Sequence, residues 1–278
     1  MTTSVFLFIM AAALLHASWN AIIKIGGNKM TIMLVMTLVQ AMFGVVVITG
    51  RALPQGEVWL WLLGSGLFHS VYKIFLSYAY EQGDLSRVYP IARGAAPMVV
   101  MAVGALFLSD VISGRETIGI VVLGAGILMM ARGVFSSGES RRLVPFALGS
   151  AMATAGYSIV DGLGARLMGD AVTYVAWLFI FDALVFTPVS IGLKGTSVLR
   201  APPRVWVYGS FAAAGSYGAY AIAVWAMTVA PIALVAALRE TSILFAIMIG
   251  WLIFKEPMTR GKVIAVLMIV SGVILMRI

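Results

Sequence analysis

The sequence predicts an all-α membrane protein of ten transmembrane helices, arranged as two inverted five-helix repeats. Three observations carry this reading. Of 278 residues, 62% are hydrophobic and only 11% charged, where a soluble domain carries roughly a quarter charged residues. The apolar stretches recur at the length of a bilayer crossing, about 20 residues. The second half of the chain repeats polar and glycine landmarks of the first.

A lipid-facing segment has no water to satisfy its peptide groups, so spanning elements are helices or a closed barrel, and these runs are too long and continuous for barrel strands. Glycine, proline and charge clusters mark the ten spans. The first, 4–25, opens like a signal-peptide core at Ser4 to Ala17, but no basic residue precedes it and it runs on through Trp19 and Asn20 to Ile25, so it is expected to be retained. The second, 30–49, lies between Lys29 and Arg51, and the third, 58–80, between Pro54 and Glu81. The fourth, 86–108, carries Pro90 and Pro97, which remove backbone donors and permit a bend. The fifth, 114–132, follows Ser113 and Glu116, spaced as a capping box. The sixth, 143–166, and the seventh, 171–193, are bounded by Arg142, Arg166, Asp170 and Lys194. The eighth, 205–229, stops at Pro231, which suits the start of the ninth, 232–254. The tenth, 259–277, begins at Thr259. The longest polar connections, 133–142 and 194–204, are too short to form domains.

Sliding the chain by 146 residues superposes Arg93 on Arg239, Gly104 on Gly250, Asp110 on Glu256, Ser113 on Thr259, Gly126 on Gly272 and Met130 on Met276. An offset of 142 places Lys24 on Arg166. The expected units are 1–136 and 137–278, five helices each. Five is odd, so the second copy enters from the opposite side. Inverted halves of this kind build secondary transporters, because they can expose a shared central site to each face in turn.

The absence of cysteine removes disulfides, thiolate metal sites and cysteine nucleophiles from consideration. The net charge of +8 does not predict a nucleic-acid partner, since every Lys and Arg except Lys73, Arg93 and Arg239 falls in or beside a short loop, where it orients helices and meets headgroups. No HExxH or GxSxG motif is present, and the two histidines lie on different spans, so no enzyme is expected. No cofactor or metal is predicted either.

The segments HASWNAIIK at 16–24, YEQGDLSRVYPIARGAAP at 80–97 and YSIVDGLGAR at 157–166, with the loop-plus-helix closings of both halves, resemble the drug/metabolite transporter superfamily in its ten-helix EamA-type branch, which includes bacterial amino-acid exporters of the YddG type. The resemblance covers nearly the whole chain. It implies a basket of helices around a central cavity in the bacterial inner membrane, exporting a small metabolite as a monomer.

Polar groups inside spans are candidate site residues. The first helix carries His16, Trp19, Asn20 and Lys24 on one stripe, and the third carries His69, Tyr72, Lys73 and Tyr80, with Tyr78 and Tyr89 nearby in sequence. These stripes either line a wet space or bond neighbouring helices. Arg93 and Arg239 lie about two turns inside their helices. A guanidinium fork suits a solute carboxylate or phosphate; the alternative is an ion pair with Asp161, Asp182 or Glu240. Asp161, one turn from Tyr157, and Glu240 are candidates to bind an ammonium group or to carry a coupling proton. Gly162 and Gly164 around Asp161 also fit a close helix crossing. Tyr217 and Tyr220, with Trp225 beside them, could stack on a ring or pack the core.

The expected function is therefore secondary transport, with export of amino acids or similar metabolites as the leading reading, small solute and lipid as partners and possible proton coupling. Drug or quaternary-amine efflux and a non-transporting scaffold are the alternatives. Loop charge places twelve Lys and Arg on the side away from the termini and four, Arg51, Arg115, Arg166 and Arg277, beside them. The positive-inside rule then puts the termini outside the cytoplasm, whereas the superfamily resemblance implies termini inside.

Overall fold

The structure is a computed structural model that describes residues 1–25, 28–82, 88, 92–108, 110–131, 142–253, 255 and 257–278. These residues form helices and connections, with no strand among them. The helices are α1 (Thr3–Ile25), α2 (Lys29–Ile48), α3 (Val58–Gln82), α4 (Ala96–Phe107), α5 (Gly114–Ala131), α6 (Leu143–Met168), α7 (Ala171–Lys194), α8 (Pro203–Val229), α9 (Ile232–Arg239), α10 (Ser242–Leu252) and α11 (Arg260–Arg277). Counting α9 and α10 as one broken segment, this is ten. Among the described residues, six segments are long and apolar enough to cross a membrane by length and composition. Large apolar side chains such as Val46, Leu60, Phe107, Leu184 and Phe211 are exposed on the perimeter, which water would not tolerate over so wide a surface.

Local chemistry sets several boundaries. Ser113 accepts from the Glu116 amide at 3.3 Å while the Glu116 carboxylate accepts from the Ser113 amide at 2.8 Å, so the capping box predicted for the fifth span is formed. Thr259, its counterpart in the second half, caps α11 through the Lys262 amide. Asp170 caps α7 by accepting from the amides of Val172 and Thr173.

The fourth span bends, as its prolines permit, and the ninth differs from the continuous helix expected. Residues 92–94 are helical, the chain bends at Ala95, and α4 begins at Ala96 with Pro97 in its first turn. The proline ring cannot lie against the carbonyl four residues back, so the helix restarts there. The ninth span breaks at Glu240 and Thr241. Their amides reach back only three residues, to Ala237 and Leu238, and the Thr241 hydroxyl takes the Leu238 carbonyl at 2.7 Å, a side-chain bond that competes with the helical ladder. Under the 146-residue offset, Ala95 superposes on Thr241. Each break follows its arginine by two residues.

The main contacts between the halves are α3 with α6, α1 with α8, α2 with α7, α5 with α11, α3 with α7, α2 with α8, α4 with α9, α4 with α6 and α1 with α9 and α10. Exchanging each helix for its counterpart in the other half returns the same set. Glycines allow the closest crossing. A methyl group on Gly119 would sit 2.8 Å from the Gly272 carbonyl oxygen, and one on Gly272 2.6 Å from that of Gly119, so α5 and α11 touch backbone to backbone.

Polar contacts outside the apolar core segregate to two ends. At one end Arg277 donates to Thr3 at 2.6 Å and Arg51 pairs with Asp170 at 3.0 Å. At the same end the Arg166 guanidinium grips both oxygens of Asp110 at 2.8 and 3.1 Å and donates to the carbonyls of Met227 and Ala230. The same Asp110 carboxylate accepts from the Ile232 amide at 2.8 Å, so one side-chain pair fastens the α6 terminus to the α8–α9 connection. At the other end Lys194 pairs with Glu81 at 2.9 Å. Partial burial pushes the Asp170 carboxyl up, but the Thr173 hydroxyl and amide, the Arg51 charge and the Val172 amide outweigh it and hold the group below its ordinary value.

Candidate functional site

The centre of the bundle holds a closed circuit of polar and aromatic side chains drawn from five segments. Arg93, 2% exposed, donates through Nε to Glu240 Oε2 at 3.1 Å, and its Nη2 lies 2.9 Å from Oε1. Its Nη1 donates to the Tyr157 hydroxyl at 3.4 Å. The Tyr157 ring stacks on His69, with centroids 4.2 Å apart and planes 17° from parallel. His69 Nε2 lies 3.0 Å from Asp161 Oδ2, an oxygen that also accepts from the Tyr220 hydroxyl. The Tyr220 ring in turn carries the Arg239 guanidinium, 5.0 Å from its centroid, and Arg239 adjoins Glu240, where the circuit began.

Helix geometry explains why these groups meet. Tyr157 and Asp161 are one turn apart on α6, so they present to the same side. Arg239 and Glu240 sit at the break of the ninth span, where the turn in the backbone lets successive side chains serve opposite sides of the circuit. The glycines flanking Asp161 do admit close neighbours: a methyl group on Gly162 would collide with Ile232 and one on Gly164 with Tyr174. The second of these matters chemically, because the Tyr174 hydroxyl donates to Asp161 Oδ1 at 3.3 Å.

The three buried acids of the spans are satisfied differently. Glu240 lies in the two-pronged pair with Arg93, and Asp182 pairs with Lys73. Asp161, with no exposed surface, has two tyrosine hydroxyls and an imidazole, and no Lys or Arg among the described residues lies within ion-pair distance. The two repeat arginines also differ. Arg239 is 6% exposed and makes no ion pair or hydrogen bond among the described residues; its contact is the face of Tyr220.

Several sequence expectations land elsewhere. Lys73 shares a helix stripe with His69 but turns away from the circuit, into an ion pair with Asp182, a hydrogen bond to Thr37 and a contact over the Phe186 ring; it ties α3 to α2 and α7. Glu240, held by a guanidinium fork, is not the isolated carboxylate expected of a proton or ammonium site. Tyr78 packs on Phe146 beneath Lys194 at the bundle end, and Trp225 packs edge-on to Phe8 near Arg166. Tyr72 touches the circuit edge-on through Tyr157, and Tyr217 lies beside it against Phe179 and Phe43. On α1, Trp19 donates to His16 Nδ1 at 3.3 Å, Asn20 bonds back to the His16 carbonyl, and His16 lies within electrostatic reach of Arg93 and Arg239. Tyr89, Pro90 and the Lys24 side chain lie outside the described residues. Tyr174 and Phe179 escaped the sequence reading. Gly164 was the available signal for Tyr174, since a glycine one turn from a buried acid marks where another group approaches.

A family model, the EamA-like transporter family, matches residues 3–132 and again 142–278. No curated protein matches the sequence. Among solved structures 29 chains match; one, described as a crystal structure of a protein, superposes with a TM-score of 0.75 at 15% identity, covering 99% of this chain and 96% of that one. At that identity the likeness speaks for the fold alone.

Proposed function

This chain belongs to the EamA-like transporter family, which makes it a multi-pass membrane transporter and not an enzyme, and we propose that its cargo is a small carboxylate-bearing metabolite, amino acids first among them. The observation that carries this is Arg239. A guanidinium buried in a membrane bundle is costly and is normally matched by a carboxylate, and its repeat partner Arg93 has one. Arg239 has an aromatic face instead, so its fork can take a carboxylate brought by the solute.

The remaining architecture fits this cargo. The exchange symmetry of the helix contacts supports two repeats, divided near residue 136, which five spans per half make inverted, and the matched breaks beside Arg93 and Arg239 supply the discontinuous helices on which alternating access commonly turns. On this reading the ten-helix monomer, seated in the bacterial inner membrane, moves the solute outward.

Purified protein in liposomes, tested with a pooled set of radiolabelled amino acids, checks the cargo. Arg239→Ala is expected to cut uptake and exchange by about tenfold or more at low solute concentration while leaving the protein folded. Equal flux in Arg239→Ala and the parent would overturn the carboxylate reading. Flux of quaternary amines alone would replace it with cation efflux, and no flux of any solute would favour a scaffold.

A further inference from the structure

Every buried acid in the described spans except Asp161 is matched by a permanent cation. Burying a carboxylate requires a counter-charge or a proton. The groups facing Asp161 are His69 and, behind it, Tyr72 from α3; Tyr157 from α6; Tyr174 from α7; Tyr220 from α8, with Tyr217 near it; and Arg239 from α9 across the Tyr220 ring. Glu240 faces Arg93, Asp182 faces Lys73, and His16 on α1 lies toward the arginines. The direct partners are thus two neutral hydroxyls and an imidazole.

We propose that Asp161 and His69 together form a proton-binding site that couples proton movement to transport by this protein. The pair is charge-balanced when it holds one proton more than an ionised carboxylate beside a neutral ring, whether that proton resides on the carboxyl oxygen or on the imidazole. Releasing the proton to water leaves a negative charge without a Lys or Arg ion-pair partner among the described residues, offset by the Arg239 cation across the Tyr220 ring. A solute carboxylate on Arg239 uses up that compensation, so solute binding favours protonation of the pair and protonation favours solute binding. Coupling of this kind is reciprocal by thermodynamic necessity. Proton and solute then cross together, so outward movement runs down the solute's own gradient and carries the proton with it. This step rests on the cargo reading above; the proton site does not.

Two experiments separate them. In pH-difference infrared spectra of detergent-purified protein carrying isotope-labelled aspartate, a carboxylic-acid band that shifts with the label is expected to appear as pH falls, to vanish in Asp161→Asn, and to move its midpoint by about one pH unit or more, a tenfold change in proton affinity, in His69→Gln. A labelled band that persists in Asp161→Asn, or the lack of any titrating aspartate band in the parent, would overturn the site. If Asp161→Asn does not fold, an unmoved midpoint in His69→Gln overturns it instead. In liposomes with pooled radiolabelled amino acids, the ratio of solute flux with and without a pH gradient is expected to fall to one in Asp161→Asn. Gradient-driven flux equal to the parent's would overturn the coupling. No flux in the parent would sink the cargo reading and leave the infrared result standing.

Discussion

Arg93 and Arg239 occupy equivalent positions in two copies of one unit, each two residues before a break in its helix, yet their surroundings have diverged. Around Arg93 a carboxylate and a tyrosine hydroxyl engage the guanidinium. Around Arg239 the nearest described partner is an aromatic face. Duplication supplied two cations at equivalent positions, and the second copy also supplied the acid, Glu240, that neutralises the first copy's arginine. On the proposed reading, Arg93 holds the halves together and Arg239 is available to a ligand.

If that division is right, the two arginines respond oppositely to removal. Arg93→Ala leaves Glu240 buried and unpaired and is expected to destabilise by about 3–5 kcal/mol, read as a large drop in thermal stability in detergent; Arg93→Ala with Glu240→Ala should recover part of the loss, and additive losses would remove Arg93 from its structural role. Arg239→Ala is expected to reduce carboxylate affinity by roughly ten- to a hundredfold, the worth of a charged hydrogen bond, with little change in melting. A melting drop as large as that of Arg93→Ala would erase the contrast between them. Tyr220→Phe keeps the ring beneath Arg239 and removes the hydroxyl from Asp161, so it is expected to cost about 1 kcal/mol of stability and to disturb pH dependence more than solute affinity. Asp170, paired with Arg51 at the bundle surface, supplies the scale of an exposed pair. Its carboxyl is held below the ordinary value of 3.8, so its stabilisation is full above that value and is lost as pH falls through the lowered one. A slight decline in melting over that acidic window, absent from Asp170→Asn, is the expected result.

Much of this was legible in the sequence. Hydropathy marked the helical segments, since about 20 apolar residues have few other uses, and the repeat offset put Arg93 and Arg239 in register. The capping box at Ser113 and Glu116 was readable because its partners are three residues apart. Which acid pairs with which base was not, because those contacts cross between distant helices: Arg93 and Glu240 are separated by 147 positions and Lys73 and Asp182 by 109. The periodicity that placed Lys73 beside His69 gave a stripe, and a stripe on a helix buried on several sides faces more than one neighbour. Tyr174 was hidden for the same reason, on a helix whose one acid, Asp182, pairs elsewhere.

With Asp161 ionised, the central circuit carries no net charge, its two arginines offsetting Asp161 and Glu240. A monocarboxylate and one proton entering together leave that neutrality intact, so the membrane potential, worth about 2.3 kcal/mol per elementary charge at about 100 mV, does no work on their passage. A zwitterionic amino acid accompanied by the same proton moves one positive charge and feels the full voltage. The current across a clamped bilayer therefore reads the charge of the cargo directly.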